Sequence, residues 1–341
     1  MIGKNIKYYR QMRKLSQEKL ALEIGVQKMT ISNYEADKRS PDYNTVRKLS
    51  DALGVPISRL MASSDSRLNI QHGSFRKQSG MQKKEQDFIL ETADRYFARF
   101  FEVVSIIGGA AVPDVPVIRR FQPENGEAGG QYLRKYLRLS LSGPVGNITD
   151  ILENNGFLLC PINHKSRHFS GNCGSVNGRP YIIINTEMPA ERQRFTLIHE
   201  LAHLLFCFGS ERNEEHLVDE IAGAFLLPEA DILRELGPKR TNICGDLRRI
   251  QREYGVSMAA IAFRAKQTGI INEHGFEMTM KWLAKNGLRI NEYSGLPAEK
   301  PSLFEQLTSR AVAEGEIGIS KAAELLELPL LDARKICYGE L

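Results

Sequence analysis

The sequence predicts an α+β protein that is mostly helical, with a small all-helical domain followed by a larger domain that adds a small sheet. Short helical segments separated by glycine or proline fill residues 1–62. Two short apolar runs, Gly156–Pro161 and Pro180–Asn185, are expected to be strands and lie ahead of a helical stretch at 190–208. Between the two runs, Phe169–Gly178 is expected to be a glycine-rich turn. With 341 residues and 42% hydrophobic content, the chain can bury two or three cores.

Changes in composition divide the chain into four expected segments. They are a helical domain at 1–62, a linker and helical connector at 63–140, the domain with the sheet at 141–271 and a helical C-terminal region at 272–341. The start of the connector, Ala62–Gln86, is polar and mixed in charge. We expect a linker there that can include a short strand.

Positive charge is concentrated at the N-terminus. Residues 1–62 contain twelve Lys or Arg and six Asp or Glu, a net charge of +6. The remaining residues contain 34 basic and 35 acidic side chains, a net charge of −1. Nucleic acid is the natural partner of such a basic segment, although a solvated basic face would give the same count.

Several features argue for a cytoplasmic protein without a membrane partner. The N-terminus is polar and basic and has no apolar signal-peptide region. The longest near-apolar run, Val103–Pro113, is too short to span a bilayer. Five cysteines, an odd number without a CxxC pair, fit a reducing compartment better than a disulfide framework. Among them, Cys207 is expected to be a small core residue and not a metal ligand.

Five short helices are expected in residues 1–62, with a tight turn between the second and the third. Ser16 stands where an N-cap belongs, and Gly25 ends the helix that follows. The expected helices cover Ile2–Lys14, Ser16–Ile24, Val26–Glu35, Tyr43–Leu53 and Ile57–Met61. This spacing predicts a helix-turn-helix domain.

Leu15–Val55 (LSQEKLALEIGVQKMTISNYEADKRSPDYNTVRKLSDALGV) resembles the Xre/Cro family of lambda-repressor-like DNA-binding domains. The resemblance implies that the third helix enters the major groove of a double-stranded DNA operator. Carried over by position, it implies contacts to base edges from Gln27, Lys28, Met29 and Asn33, and to the DNA backbone from Gln17, Ser32 and Arg39.

Hydrogen-bonding chemistry refines these implied DNA contacts. Lys28 suits guanine and Asn33 suits adenine. Met29 departs from the polar residue often found at its position and could touch a thymine methyl group. Because one such module contacts few phosphates, we expect a homodimer on a two-fold symmetric site. A domain that dimerises without binding DNA is the alternative.

A metal-binding motif lies in Phe195–Phe206 (FTLIHELAHLLF), which lacks glycine and proline and is expected to be helical. His199 and His203 are four residues apart and therefore share one face of the helix. Glu200 lies about 100° around the helix, within reach of a water on a metal held by the histidines. Zinc accepts such ligands and leaves a position for water. The motif predicts one zinc ion per chain, with Glu200 as the catalytic residue.

A third metal ligand is expected in the next helical stretch, Asn213–Pro228 (NEEHLVDEIAGAFLLP). Glu215 and Asp219 are one turn apart there. We assign Glu215 as the third ligand and Asp219 as the carboxylate that orients a ligating histidine. The alternatives that the sequence leaves open for the ligand are Glu214, His216 and Glu220.

Arg179–Pro228, with RPYIIIN, ERQRFTLIHELAHLLF and EEHLVDEIAGAFLLP in order, resembles the ImmA/IrrE family of metallopeptidases. The resemblance implies a zincin-like domain with Glu200 as the catalytic acid and base. It implies as metal ligands His199, His203 and Glu215. Val218 replaces the small residue usual at that position. Proteins of this family often cleave a transcriptional repressor.

Together these features predict a DNA-binding transcriptional regulator with a zinc-dependent endopeptidase, whose protein or peptide substrate is a repressor or another partner. An edge strand of the sheet could hold the extended substrate. A further oxyanion donor could be Tyr181, His216 or His274. Two alternatives stay open: an autoregulatory, antitoxin-like repressor whose metal site is structural or sensory, and a protease of broad specificity.

Overall fold

The computed structural model describes residues 2–13, 15–61, 68–73, 80–166, 168–208, 214–289 and 295–339. Seventeen α-helices and four β-strands lie within these ranges, which confirms the mostly helical α+β class. Contacts divide the chain into two compact units. The first comprises Met1–Leu68 and Gln82–Ala98, and the second comprises Asn69–Met81 and Arg99–Leu341. No helix in the described ranges is long and apolar enough to cross a membrane.

The first unit holds the five expected short helices. Helices α1 to α5 span Ile2–Met12, Gln17–Ile24, Lys28–Glu35, Tyr43–Leu53 and Ile57–Met61. The five-helix prediction is confirmed. The third helix begins two residues later than expected, because Gln27 takes the N-cap position with extended backbone angles. A sixth helix, α6 (Lys83–Ile107), belongs to this unit up to Ala98.

The turn between α2 and α3 has the geometry that its sequence predicts. The Ser16 hydroxyl caps α2 by accepting a hydrogen bond from the backbone N–H of Lys19 at 3.0 Å. Gly25 ends the helix in the left-handed conformation, with φ 75°. The N–H of Val26 then returns to the carbonyl oxygen of Ala21 at 2.9 Å. This pairing fixes where α3 starts relative to α2.

A buried ion pair ties the first three helices together. Arg10 Nε lies 2.5 Å from Glu35 Oε1, and only 6% and 5% of the two side chains are exposed. Gln17 donates from Nε2 to the other oxygen of Glu35 at 2.8 Å. Arg10 also donates from Nη1 to the carbonyl oxygen of Leu15 at 2.8 Å. Each charge therefore has several partners, which offsets the free energy of burying it.

The second unit contains a four-stranded sheet. Strands β1 to β4 span Ile70–His72, Leu158–Ile162, Gly171–Val176 and Arg179–Asn185. Their order is β1-β3-β4-β2, so β1 and β2 form the edges. Strand β3 runs antiparallel to both neighbours, whereas β2 runs parallel to β4. Strand β1 lies in the expected linker, of which residues 62–67 and 74–79 lie outside the described residues.

The second unit also contains helices α7 to α17. Their bounds are Gly126–Tyr136, Ile148–Asn154, Ala190–Leu205, Glu214–Leu226, Glu229–Leu236, Leu247–Tyr254, Met258–Gln267, Glu273–Lys285, Leu303–Ala313, Ile319–Leu326 and Leu330–Tyr338. Helix α9 packs on β3 and β4. It shares one hydrophobic core with α7, α8 and α10 to α14. The metal-binding motif therefore lies on a helix held from several sides.

The prediction of a turn at Phe169–Gly178 is wrong, because the centre of this segment forms strand β3. A Cβ atom at Gly171 would lie 2.6 Å from the Thr196 side chain and 2.9 Å from the carbonyl oxygen of Ile183. Glycine is required there because α9 approaches the strand closely. The glycines of this segment reflect packing as well as turn formation.

Helix α7 approaches α10 through a glycine-rich face. A Cβ atom at Gly130 would lie 2.7 Å from the backbone nitrogen of Phe225. Arg134, which is 1% exposed, donates from Nε to the carbonyl oxygen of Phe225 at 2.7 Å. These contacts fix the position of α10, which carries the expected third metal ligand.

The C-terminal region is helical, as expected, and repeats the turn seen between α2 and α3. Glu327 ends α16 in the left-handed conformation with φ 55°, and the N–H of Leu328 returns to the carbonyl oxygen of Ala323 at 3.0 Å. The same left-handed residue and hydrogen bond join α2 to α3. The charge differs, since residues 302–341 contain four Lys or Arg and seven Asp or Glu. Residues 302–341 therefore lack the positive excess of residues 1–62.

Candidate metal centre and nucleic-acid interface

Two histidines of α9 face one point from successive turns. The Nε2 atoms of His199 and His203 are 3.1 Å apart. Only 4% and 16% of the two side chains are exposed. The four-residue spacing thus has the consequence that helix geometry predicts.

Helix α10 brings a carboxylate to the same point. Glu215 Oε1 lies 3.6 Å from His203 Nε2, and Glu215 Oε2 lies 3.7 Å from His199 Nε2. The three side chains offer ligand atoms that all lie within 4.8 Å of one another. No other group of three His, Cys, Asp or Glu side chains within the described residues is arranged in this way. Two imidazoles and one carboxylate could hold a metal ion here.

Acidic residues of α10 lie behind both histidines. Asp219 Oδ1 is 2.7 Å from His199 Nδ1, and Glu214 Oε1 is 3.1 Å from His203 Nδ1. A carboxylate can only accept a hydrogen bond, so each Nδ1 carries the hydrogen. In the neutral imidazole, each Nε2 then presents a lone pair towards Glu215.

A cleft of about 610 Å³ opens beside this cluster. Glu200, which is 8% exposed, lines the cleft together with His203 and Glu215. Another part of the lining comes from the sheet, through the following residues of β1, β3 and their ends: Gln71, His72, Gly73, Gly171, Asn172, Cys173, Gly174 and Ser175. Glu200 therefore faces a space large enough for a segment of polypeptide.

A third wall of the cleft comes from the segment before α7. Arg120 lines the cleft and donates from Nε to the carbonyl oxygen of Leu204 at 3.0 Å. Next to it, the Phe121 carbonyl oxygen accepts from the N–H of Cys207 at 3.1 Å. The expectation that Cys207 is a core residue is wrong, because the residue is exposed. It follows the last turn of α9, where the chain has left the helix and its core.

The structure brings together His199, Glu200, His203, Glu215 and Asp219. Of the alternative ligands, Glu214 faces the outer nitrogen of His203. The other two face each other, with His216 Nδ1 3.5 Å from Glu220 Oε1.

None of the three expected oxyanion donors lines the cleft. Tyr181 is fully buried, and its hydroxyl lies 2.5 Å from His72 Nδ1. His216 and His274 are exposed elsewhere.

Sequence reasoning missed His72 and Arg120 near the site, and it named Glu214 only as an alternative metal ligand. Glu214 backs His203, and His72 and Arg120 line the cleft from distant parts of the chain. Glu214 is adjacent to Glu215 in an acidic pair, which gives a weak signal. The positions of His72 and Arg120 depend on long-range pairing that has no local signal.

The expected DNA contacts lie around α2 and α3. Gln27, Lys28 and Met29 are exposed at the start of α3, and Met29 is 67% exposed. One turn further, Ser32 and Asn33 are half-buried.

Two further expected DNA contacts lie outside α3. Arg39 is exposed after α3, while the Gln17 amide donates to Glu35. A cavity of about 370 Å³ at the start of α2 is lined by four basic residues, Lys7, Arg10, Lys28 and Lys84, and by two acidic ones, Glu18 and Glu35, which leaves a net positive charge. This edge of the domain therefore combines a helix N-terminus with positive charge, which suits phosphate.

Both regions match families of known proteins. Residues 6–60 match the helix-turn-helix family, and residues 160–266 match the family of IrrE N-terminal-like domains. The N-terminal region is similar to the cryptic phage CTXphi transcriptional repressor RstR of Vibrio cholerae, at 39% identity over 69 residues, which is 20% of this chain and 62% of that protein.

The same region is 33% identical over 61 residues to the uncharacterized HTH-type transcriptional regulator YqaE of Bacillus subtilis (strain 168), which is 18% of this chain and 53% of that protein. The chain thus spans less than two thirds of the length of either relative. Both resemblances noted in the sequence are confirmed. The chain joins an Xre-like helix-turn-helix DNA-binding domain at its N-terminus to a domain of the IrrE/ImmA-like metallopeptidase family.

Proposed function

We propose that the protein is a transcriptional regulator that binds operator DNA as a homodimer in the cytoplasm and carries a zinc-dependent endopeptidase. Its peptidase substrate is a repressor or another partner protein. The observation that carries this proposal is the meeting of two imidazole nitrogens and one carboxylate beside a cleft that also contains Glu200.

The donor set fits zinc. Two Nε2 lone pairs at 3.1 Å repel each other unless a cation or a proton lies between them. Tetrahedral zinc with Zn–N bonds of 2.0–2.1 Å separates two nitrogen ligands by about 3.3 Å. The distances of 3.6 and 3.7 Å from Glu215 to the histidines are close to the corresponding oxygen–nitrogen separation. A set of two histidines and one glutamate is a common catalytic zinc site.

The carboxylates behind the histidines support the same proposal. Asp219 and Glu214 fix which nitrogen of each imidazole carries the hydrogen and make the opposite nitrogen a better donor to a metal. Histidines that only filled a hydrophobic core, with their hydrogen bonds made inside it, would not need two exposed acidic partners.

In the proposed reaction, Glu200 moves the proton. Its carboxylate takes a proton from the attacking water and returns it to the nitrogen of the leaving amine. Zinc, when bound, supplies a water of lowered pKa and a positive charge for the carbonyl oxygen. Glu200 suits this role because it is only 8% exposed and lines the cleft beside the metal-binding cluster. The β3 side of the cleft positions the polypeptide.

The DNA-binding half of the proposal rests on the first unit. Its turn has the helix-turn-helix geometry, its net charge is positive, and its relatives include a protein named as a transcriptional repressor. Docking of α3 in the major groove, as in related helix-turn-helix domains, would bring Lys28 and Asn33 to base edges. Homodimer formation would give the second half-site.

The test pairs metal content with cleavage. Purified protein loaded with one equivalent of zinc is incubated with each protein encoded beside its gene, and products are mapped by mass spectrometry. We expect cleavage by the wild type, a zinc content of one per chain for the wild type and for Glu200→Gln, and no cleavage by Glu200→Gln. His199→Ala should lose both zinc and cleavage.

Two results would contradict parts of the proposal. Equal cleavage by Glu200→Gln would remove its assigned role. Stoichiometric zinc without cleavage of any neighbour protein would favour a regulator whose metal site is structural or sensory.

A further inference from the structure

Strand β1 comes from the connector, yet it completes the edge of the sheet beside the candidate metal centre. It pairs antiparallel with β3, with Ile70 opposite Val176, Gln71 opposite Ser175 and His72 opposite Gly174. The chain is held against β3 beyond both ends of the strand. The N–H of Asn177 donates to the Asn69 carbonyl oxygen at 2.9 Å, and the N–H of Gly73 donates to the Cys173 carbonyl oxygen at 2.8 Å. Five consecutive residues of the connector thus follow β3.

The register places this connector segment at the cleft. A Cβ atom at Gly171 would point at Thr196 on α9, so Gly171, Cys173 and Ser175 share the α9 face of β3. Gln71 lies opposite Ser175 and therefore lies on that face too. Gln71, His72 and Gly73 all line the cleft that contains Glu200 and the metal-binding cluster.

Two further contacts hold this connector segment against the sheet. A Cβ atom at Gly73 would lie 2.4 Å from the carbonyl oxygen of Cys173, so only glycine allows the approach. On the other face of the sheet, His72 Nδ1 lies 2.5 Å from the hydroxyl of Tyr181. Three features therefore hold the segment in place: the backbone hydrogen bonds to β3, the close approach at Gly73 and the contact between His72 and Tyr181.

An extended polypeptide recognises a sheet edge by adding a strand to it. Without β1, the edge next to Glu200 would be β3, and its unpaired N–H and C=O groups would be the natural place for a substrate strand. In the structure, β1 occupies that place.

We propose that β1 is an internal occupant of the substrate-binding edge, and that the peptidase substrate is an extended segment that adds antiparallel to β3 after β1 has left. This inference rests on the proposed function of the same site. A strand of three residues is short enough to open without unfolding the sheet.

Chain connectivity links this occupancy to the other unit. Residues 69–81 are preceded and followed in the chain by parts of the first unit, Met1–Leu68 and Gln82–Ala98. Release of β1 would therefore free a segment that is joined at both ends to residues of the first unit.

The test compares two proline substitutions in β1, of which only one removes a backbone hydrogen bond to β3. Antiparallel alternation puts Gln71 in a pair that exchanges hydrogen bonds with β3, whereas the N–H of Ile70 points away from β3. Gln71→Pro should release β1, and Ile70→Pro is the matched control. Gly73→Ala, which places a Cβ atom against Cys173, is a second releasing variant.

Backbone hydrogen exchange is measured on full-length protein without added metal, with and without the peptide acetyl-Leu-Asn-Ile-Gln-His-Gly-amide, which is the sequence of residues 68–73. In Gln71→Pro and Gly73→Ala, we expect the Ser175 and Asn177 amides to exchange at least tenfold faster. Millimolar peptide should slow them again. The wild type and Ile70→Pro should show slow exchange that the peptide leaves unchanged.

Two results would overturn the proposal. One is loss of protection throughout β4 and α9 in both releasing variants, which would make β1 an integral part of the sheet. The other is a released β3 edge that the peptide does not protect. Since the exchange needs neither zinc nor cleavage, its outcome is separate from that of the proposed hydrolysis.

Discussion

Asp219 Oδ1 lies 2.7 Å from His199 Nδ1, on the side of the imidazole that faces away from His203. Glu214 has the same relation to His203, at 3.1 Å. Both acidic residues belong to α10, whereas both histidines belong to α9. The orientation of the imidazoles is therefore set by the packing of two helices and not by α9 alone.

Replacing Asp219 by alanine should weaken zinc binding. The carboxylate fixes the tautomer of His199, and loss of such a partner typically lowers metal affinity by about 10- to 100-fold. Competition between the protein and a chromophoric chelator measures the change directly. Glu220→Ala is the control, because Glu220 lies on the same helix and faces His216 instead of the cluster. Unchanged affinity in Asp219→Ala would show that α9 orients His199 unaided.

Replacing Gly171 by alanine should disturb the site through the fold. The added Cβ atom would lie 2.6 Å from Thr196 and 2.9 Å from the Ile183 backbone, so α9 and β3 must move apart. Such overpacking costs about 1–3 kcal/mol of unfolding free energy. Urea unfolding measures this loss. Cleavage should fall further than stability alone explains, because Glu200 Cγ would lie 3.3 Å from the new atom.

Gly146→Ala is the matched control for this change. A Cβ atom at Gly146 meets nothing within 4 Å, so its unfolding free energy should stay within about 0.5 kcal/mol of the wild type. Equal effects of the two substitutions would mean that helix α9 does not require the close approach at Gly171.

The parts of the site that follow from local geometry could be predicted from sequence. The four-residue spacing of His199 and His203 fixes a shared helix face, and the structure places their Nε2 atoms together. The choice of Glu215 over its neighbours needed the family resemblance. Nothing local indicates how α10 turns towards α9, since that depends on contacts such as Gly130 against Phe225.

The parts that depend on distant pairing could not be predicted. Strand β3 looks like a turn because glycine and polar residues have low strand propensity. It forms a strand because β1 and β4 supply hydrogen bonds on both sides. The partner strand β1 lies about a hundred residues away in a polar linker, and a three-residue pairing at that separation leaves no pattern in the sequence.

Replacing Lys28 or Asn33 by alanine should weaken operator binding. Each proposed base contact contributes about 1–3 kcal/mol of discrimination, so the dissociation constant for specific DNA should rise by about 5- to 150-fold. Fluorescence anisotropy with DNA from upstream of the gene measures the change, with a scrambled duplex for comparison. Binding to the scrambled duplex should change much less.

Lys4→Ala is the control for the charge change at Lys28, because Lys4 is exposed on α1, outside the α2–α3 pair. Both substitutions remove one positive charge, so a general electrostatic effect would be similar for the two. Equal losses on specific and scrambled DNA for Lys28→Ala would place Lys28 at the phosphates instead of a base.

Glu153 should make stability depend on pH. Burial raises the pKa of its carboxyl to about 7, and the nearby Asp150 acts in the same direction. Two backbone hydrogen bonds from Ser302 and Leu303 oppose this rise. Since the folded state holds the proton more tightly than the unfolded state, the stabilisation is present below about pH 4.5 and is lost as pH rises through 7.

Glu153→Gln keeps an oxygen for both N–H groups and removes the titration. Relative to the wild type, the variant should gain unfolding free energy as the pH rises from 4.5 to 7.5, by up to about 3 kcal/mol. Urea unfolding at a series of pH values measures this difference, and all other titrating groups cancel between the two proteins. The amide hydrogens of glutamine do not titrate, so they add only a pH-independent offset, and the slope is the decisive quantity. A flat difference across this range would show that the pKa of Glu153 stays near its ordinary value.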